Sequence, residues 1–333
     1  MGDLQTTGFP KFEMKNNWYH LEKDMKQNKL KNYHPLLADV LSFKRFAGNY
    51  VVTGTVVKTD NEKRQFKEIT ISDGSGDITV KCTNFELMGV EIPFQSLVYI
   101  EAALTQKYGQ AEFVCKNLVP VTNYSSLGPD LSVLPRSLCP NSEAFDGLLI
   151  IAERIREPLL RTFLREVLLT PDIGLKYLQC PASLNYHHNF PGGLIQHSVS
   201  VAWNLSGIQA FNSLDRDIAV VAALLHDVGK TKTLTPDMTR TAIGRLVDHS
   251  QLTLELCAEP LRKLECRAPG IAYHLRHAWT CYSPGARFGF KAKTFLAKRL
   301  QYVDNKSAKS PLWQIPDFTN ESLEWMKTTR VTN

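Results

Sequence analysis

Leu224-Leu225-His226-Asp227-Val228-Gly229-Lys230-Thr231 sets an imidazole and a carboxylate side by side at the polar end of an apolar run. Val220-Val221-Ala222-Ala223 lead into it without a polar interruption, so the pattern predicts a buried helix that delivers both groups into the interior. A buried carboxylate needs a partner. A pair of this kind can be a structural hydrogen bond, but one divalent cation serves both groups, because neutral imidazole and ionised carboxylate are ligands for Mn, Fe, Zn or Mg.

Further candidate ligands follow along the chain: His197, His249, His274 with His277, and Asp304. His197 precedes Val199, Ala202, Trp203 and Leu205 at helical spacing, and Asp304 closes an apolar stripe through Phe295, Leu296, Leu300 and Val303. His274 and His277 are three apart and share a helix face, though His274 reads equally well as a hydrogen-bonded core residue. Lys230 stands three residues after Asp227. If the helix continues, its ammonium lies on the same face and neutralises phosphate oxygens; a C-terminal helix cap is the other reading.

The order His197, His226-Asp227, Asp304 resembles the signature of the HD metal-dependent phosphohydrolase superfamily. Within it, His187-His188-Asn189-Phe190-Pro191-Gly192-Gly193 and Gly244-Arg245-Leu246-Val247-Asp248-His249 are similar to segments of the YhaM-type 3′-to-5′ exoribonucleases, from roughly residue 46 to 310. The resemblance implies His197, His226, Asp227 and Asp304 as ligands of a first metal, and His249 and His277 as ligands of a second. It implies Mn first, with Fe, Mg, Co, Zn or Ni as alternatives, and one or two ions. The chain departs from that family at His277-Ala278, where two adjacent histidines are usual, and His274 is then an extra ligand candidate. The doublet His187-His188 sits in a polar loop and is read as touching substrate or surface rather than metal; Arg245 is a further phosphate candidate.

Upstream the period changes. Stretches at 51–57, 66–71, 78–82, 97–100 and 112–115 alternate as five short strands, with Asp73-Gly74-Ser75-Gly76-Asp77 a tight turn and Gly109 another. Five strands in about 75 residues fit an OB-fold barrel. Such a barrel can be purely structural. Phe66, Phe85, Tyr99 and Tyr108, interleaved with Lys58, Lys67, Lys81 and Lys107, are what a single-strand groove uses, rings to stack bases and cations to follow phosphates.

The expected architecture is therefore an N-terminal OB-fold β-barrel followed by an all-α HD-type helical domain. Its expected parts are an arm or helical segment over 1–45, the barrel over 46–122, a proline-containing linker over 123–143, the HD domain over 144–310 and a tail or helix over 311–333. Helices are predicted over 145–156, 158–169, 197–211, 215–226, 245–264, 269–279 and 293–304. His20 and His34 read as ordinary surface residues.

Composition bounds the function. The 333 residues carry a net charge of +6 and 43% hydrophobic residues, which allows an anionic partner without demanding one. No apolar run approaches a membrane span and no signal-peptide core opens the chain, so a cytoplasmic protein with no membrane partner is expected. Seven cysteines without a Cys-x-x-Cys pair read as reduced thiols. No Ser, Cys or Lys nucleophile has an evident activating partner, which leaves direct attack by metal-activated water. The expected activity is a metal-dependent 3′-to-5′ exoribonuclease or single-strand nuclease acting on RNA or DNA, with a homo-oligomer allowed. The alternatives are a phosphodiesterase of small nucleotides, and a non-catalytic nucleic-acid-binding accessory protein with a degenerate HD site.

Overall fold

The computed structural model describes residues 35–107, 110–121, 131–282 and 289–307. His20, His34, Tyr108, Gly109, part of the expected linker and the 311–333 tail lie outside the described residues. No helix among the described residues is long and apolar enough to cross a membrane.

Five strands, β1 (Arg45–Thr59), β2 (Gln65–Asp73), β3 (Gly76–Cys82), β4 (Leu97–Lys107) and β5 (Gln110–Pro120), close into a barrel in the order β1-β2-β3-β5-β4. All pairs are antiparallel except β3 with β5, and β1 pairs with both β2 and β4. This is the OB-fold. The two-residue period fills its interior, with Phe46, Tyr50 and Val52 of β1 meeting Ile69, Ile71, Val80, Val98, Ile100 and Phe113 in one cluster. The register of β1 against β2 shifts between Val52 and Gly54, and beyond this bulge residues 55–59 are exposed. The expected turn between β2 and β3 is built by Asp73, whose Oδ1 accepts from the amides of Ser75 and Gly76 at 2.7 and 3.2 Å.

The expected linker is in part core. Its prolines signal a spacer, but Leu131, Val133 and Leu134 are buried with Val51 and Leu97 of the barrel in the main helical cluster. Gly74 N–H donates to Ser132 O at 2.6 Å, and Ser72 and Ser137 hydroxyls meet at 3.0 Å. Arg136 forms a two-pronged ion pair with the fully buried Asp146, one prong at 2.7 Å. Arg136→Ala is expected to destabilise the protein by about 3–5 kcal/mol, because it leaves a buried carboxylate unpaired. Equilibrium denaturation checks this, and the double change Arg136→Met, Asp146→Leu is expected to recover most of the loss.

The second domain is helical. Its elements after the short barrel helix α1 (Phe85–Met88) are α2 (Ser142–Glu153), α3 (Pro158–Leu168), α4 (Pro171–Gln179), α5 (Gly193–Ser206), α6 (Ser213–Leu225), α7 (Lys230–Thr233), α8 (His249–Leu256), α9 (Ala258–Arg267), α10 (Pro269–Thr280) and α11 (Phe295–Ser307). Helix starts are capped, Asn141 Oδ1 accepting from Ala144 N–H, and Pro158 and Pro269 sit in first turns. Helix α5 begins four residues earlier than expected, directly after Gly192, whose φ of +79° suits glycine. The stretch expected as one helix over 245–264 is broken, with a 3₁₀ turn at Ile243–Arg245, then α8 capped by Asp248, then α9. Helix α4 was not anticipated, since its nine residues are too few for a clear period.

Candidate metal centre

Helix α6 is buried from Asp217 to Leu225, and the chain leaves it at His226. A buried helix end has carbonyls without intrahelical donors, and here each finds one from elsewhere. Trp279 Nε1–H donates to Ala222 O at 2.9 Å, His226 Nδ1–H to Ala223 O at 2.7 Å, and Tyr177 O–H to Leu224 O at 2.8 Å. Val228 N–H takes Leu225 O at 3.1 Å, and the Thr253 hydroxyl takes His226 O at 3.1 Å. The helix end is thereby held, and with it the two side chains it presents.

Four donor atoms converge there, from α5, α11 and the turn after α6. His197 Nε2 of α5 lies 3.2 Å from His226 Nε2, 3.0 Å from Asp304 Oδ1 of α11 and 3.6 Å from Asp227 Oδ2. His226 Nε2 is 3.4 Å from Asp227 Oδ2 and 3.5 Å from Asp304 Oδ1. Ligands about 2.0–2.2 Å from a common ion are roughly 3.0–3.5 Å from each other, so the spacing fits a metal centre. The ring orientations fit it too. His226 spends its Nδ1 proton on Ala223 O, and His197 Nδ1 meets the buried Ser307 hydroxyl at 3.2 Å, so both rings turn Nε2 inward.

Electrostatics point the same way. Burial raises the Asp227 pKa, but His226 and Lys230 outweigh it and hold the carboxyl well below its usual value. Burial likewise opposes charge on Asp304, which His197 and His226 hold down. Burial lowers His197, whereas at His226 the Asp227 and Asp304 carboxylates overcome burial and raise the pKa. A divalent cation held there would balance both carboxylates. Asp304 is 39% exposed and His249 33%, against 2% for His197, so the centre is open on the side of those two residues.

Asp227 faces both ways. Its Oδ2 belongs to the four-donor group and accepts from Lys230 Nζ at 2.6 Å, while its Oδ1 lies 3.0 Å from His249 Nε2. The helix does not continue to Lys230 as the shared-face reading required; a turn intervenes and the short α7 brings the ammonium back. Burial opposes charge on His249, but Asp227 and Asp248 raise its pKa to about 9. Gly229 lets α8 approach: a Cβ there would stand 1.9 Å from His249 O, and its N–H donates to Thr253 Oγ1 at 3.1 Å.

The remaining predicted residues are placed as follows. His187 and His188, read as substrate contacts, have ring nitrogens within 4.8 Å of each other and of His197. His277 accepts from Lys293 N–H at 3.0 Å through Nε2, and neither it nor His274 falls in a ligand group among the described residues. Arg245 is exposed at the end of its 3₁₀ turn, shortly before His249. On the barrel, Phe66 is 9% exposed with Lys81 Nζ 4.3 Å above its ring, which takes it out of base stacking. Lys58 pairs with Glu68 at 2.7 Å, and Lys67 donates to Val90 O at 3.0 Å. Among the described residues, Phe85 and Phe94 next to the barrel strands are exposed rings, at 88% and 65%. Sequence reasoning missed Phe94, Thr253, Tyr177, Trp279 and Ser307; only Phe94, an aromatic followed by the polar Gln95 and Ser96 before β4, carried a local signal.

A model of the HD domain family matches residues 194–305, a span that holds all four donors. The 3′-5′ exoribonuclease YhaM of Bacillus subtilis (strain 168) is 25% identical over 254 residues, covering 74% of this chain and 79% of that protein. The dihydroneopterin 2′,3′-cyclic phosphate phosphodiesterase of Methanocaldococcus jannaschii is 34% identical over 99 residues, 26% of this chain and 40% of that protein. Among solved structures, the mitochondrial single-stranded DNA binding protein Rim1 of S. cerevisiae overlaps 24% of this chain and 97% of its own, with 13% identity and a TM-score of 0.21.

Proposed function

We propose that this protein, an OB-fold barrel joined to an HD domain, is a metal-dependent phosphodiesterase that shortens single-stranded RNA, or DNA, from its 3′ end. The observation that carries the reading is that His197 Nε2 and His226 Nε2, 3.2 Å apart, each lie 3.0–3.6 Å from both Asp227 Oδ2 and Asp304 Oδ1. Likeness to the YhaM exoribonucleases over most of the chain supports the polymer substrate and the direction.

A bound divalent cation supplies Lewis acidity toward a phosphoryl oxygen and activates water for in-line attack. The chain's own residues do the rest. Asp227 joins the donor group to His249, so that both sides of one carboxylate are held. His249 in turn has Nδ1 3.5 Å from Asp248 Oδ2, which orients Nε2 toward the centre. Lys230, only 17% exposed, sets Nζ 2.6 Å from Asp227 Oδ2, and in this reading it binds a non-bridging phosphate oxygen. Arg245, His187 and His188 are further phosphate contacts in this reading, and Lys58, Lys67 and the exposed Phe85 and Phe94 mark the barrel surface along which a strand runs.

The test uses RNA and DNA oligonucleotides labelled at the 5′ end, given to protein stripped of metal by chelation and then supplied with Mn²⁺ or Mg²⁺. A ladder of shortened 5′-labelled products that needs the added ion is expected. Release of the label as a mononucleotide would reverse the direction, and an uncut oligonucleotide would remove the polymer substrate. The likeness of 26% of the chain to the cyclic phosphate phosphodiesterase favours a second reading, a small cyclic phosphate ester such as a cyclic nucleotide as substrate, which turnover of 2′,3′-cyclic mononucleotides with oligonucleotides left intact would establish.

A further inference from the structure

The seam between β3 and β5 closes the barrel with little pairing. The two strands run parallel, slightly weaker per residue than an antiparallel pair, and only Val80 with Phe113 and Lys81 with Val114 are in register, against ten pairs between β4 and β5. One further step of that register sets Cys82 beside Cys115. Alternation along each strand turns both inward with Val80 and Phe113, and both are buried in the barrel cluster. Neighbouring strands lie about 4.8 Å apart, inside the roughly 4.4–6.8 Å between Cα atoms that a disulfide spans.

The two sulfurs already interact. A hydrogen bond from the Cys115 thiol, with Lys67 nearby, holds the Cys82 pKa down at about 7 against burial, whereas the same bond and burial push Cys115 up. A thiolate beside a thiol is what disulfide formation needs, since the first attacks and the second resolves. The other buried cysteines stand differently. Burial pushes Cys139, Cys180 and Cys257 up to about 12, with no second thiol contributing.

We propose that Cys82 and Cys115 form a reversible disulfide, a redox-sensitive lock across the β3–β5 seam, with hydrogen peroxide as oxidant and a dithiol as reductant. The Cys82 thiolate attacks one peroxide oxygen, the O–O bond breaks, and a sulfenic acid forms on Cys82 as hydroxide leaves. The Cys115 sulfur then displaces the sulfenic hydroxyl, which departs as water with the Cys115 proton, and the S–S bond is made. The two thiols together lose two electrons and two protons, and the peroxide becomes two waters. A dithiol returns them by exchange. Because both sulfurs are buried, the oxidant enters when the seam opens, and its short parallel pairing makes that local opening the least costly in the barrel. Once formed, the bond ties down the strand that leads through the Asn84 cap into the exposed Phe85.

The test is hydrogen peroxide added to the reduced full chain, followed by unfolding, alkylation of the remaining thiols and peptide mapping. A linked pair of peptides holding Cys82 and Cys115, separated again by a dithiol, is expected; the exposed Cys266 reports that the oxidant was sufficient. The oxidised protein is expected to unfold at a Tm about 5 °C or more above the reduced one. Cys115→Ala is expected to lose that rise and to leave Cys82 as a sulfenic acid that dimedone captures. The wild-type map decides even where that variant does not fold. Cys82 and Cys115 both alkylated after Cys266 has been oxidised would overturn the proposal, as would a different pairing, or the expected pairing with no change in Tm.

Discussion

Asp227→Asn is expected to lower kcat/KM by about 10³-fold or more, roughly 4 kcal/mol of transition-state stabilisation, and to strip the protein of its metal. The change keeps the shape of the side chain and removes one charge. That charge has three dependants. Oδ2 lies 3.4 Å from His226 Nε2 and 3.6 Å from His197 Nε2 in the donor group, and 2.6 Å from Lys230 Nζ; Oδ1 lies 3.0 Å from His249 Nε2. An amide at this position turns an NH₂ toward one side, where it either repels the ion or meets His249 donor to donor. The Lys230 ammonium, largely buried, also loses its counter-charge, so part of the loss is destabilisation. Metal content after dialysis and cleavage of a labelled oligonucleotide check this together. A variant that keeps near-native metal content and turnover would exclude Asp227 as a ligand.

Gly229→Ala is expected to cost about 3 kcal/mol or more of stability, and to abolish activity in whatever fraction stays folded. The backbone angle is not the reason, because φ at Gly229 is −59° and alanine adopts it freely. The reason is contact. An added Cβ would lie 1.9 Å from His249 O and 2.8 Å from Thr253 N, both backbone atoms of α8, which must move by more than an ångström. That motion breaks the Gly229 N–H to Thr253 bond at 3.1 Å and carries His249 away from Asp227. Gly207→Ala is the control. It caps α5 with its nearest neighbour 3.8 Å away, and is expected to stay within about 0.5 kcal/mol of wild type. Urea denaturation of both variants measures the difference, and a Gly229→Ala protein as stable and active as the control would show that α8 is free to shift.

Both predictions bear on residues whose importance is visible along the chain to different degrees. His226-Asp227 stood out because a buried apolar helix ended on two polar groups, and Asp304 because it closed an apolar stripe. The barrel was legible from its two-residue period, and Asp73 from the turn it begins. Elsewhere the same kind of reading failed. Phe66 and Lys81 looked like a ring and a cation for a groove, but cross-strand packing spends them on each other at 4.3 Å. His277 looked like a ligand, yet the chain brings Lys293 N–H to it at 3.0 Å. Leu131, Val133 and Leu134 stand among prolines that signal a spacer, and too few of them recur to show a period, yet they are core.

By itself, then, the sequence determined the two architectures, the elements that make them and the polar residues that terminate buried helices, since periodicity and the cost of an unpaired buried charge are local properties. Only the tertiary structure decided which of those residues meet. Tyr177, Trp279 and Thr253 hold the end of α6 from 27 to 57 residues away, and Ser307 orients His197 across 110. Side chains so distant carry no mark of their partner in the chain around them. A hydrogen bond or a shared ion depends on positions to within a fraction of an ångström, and packing alone supplies those.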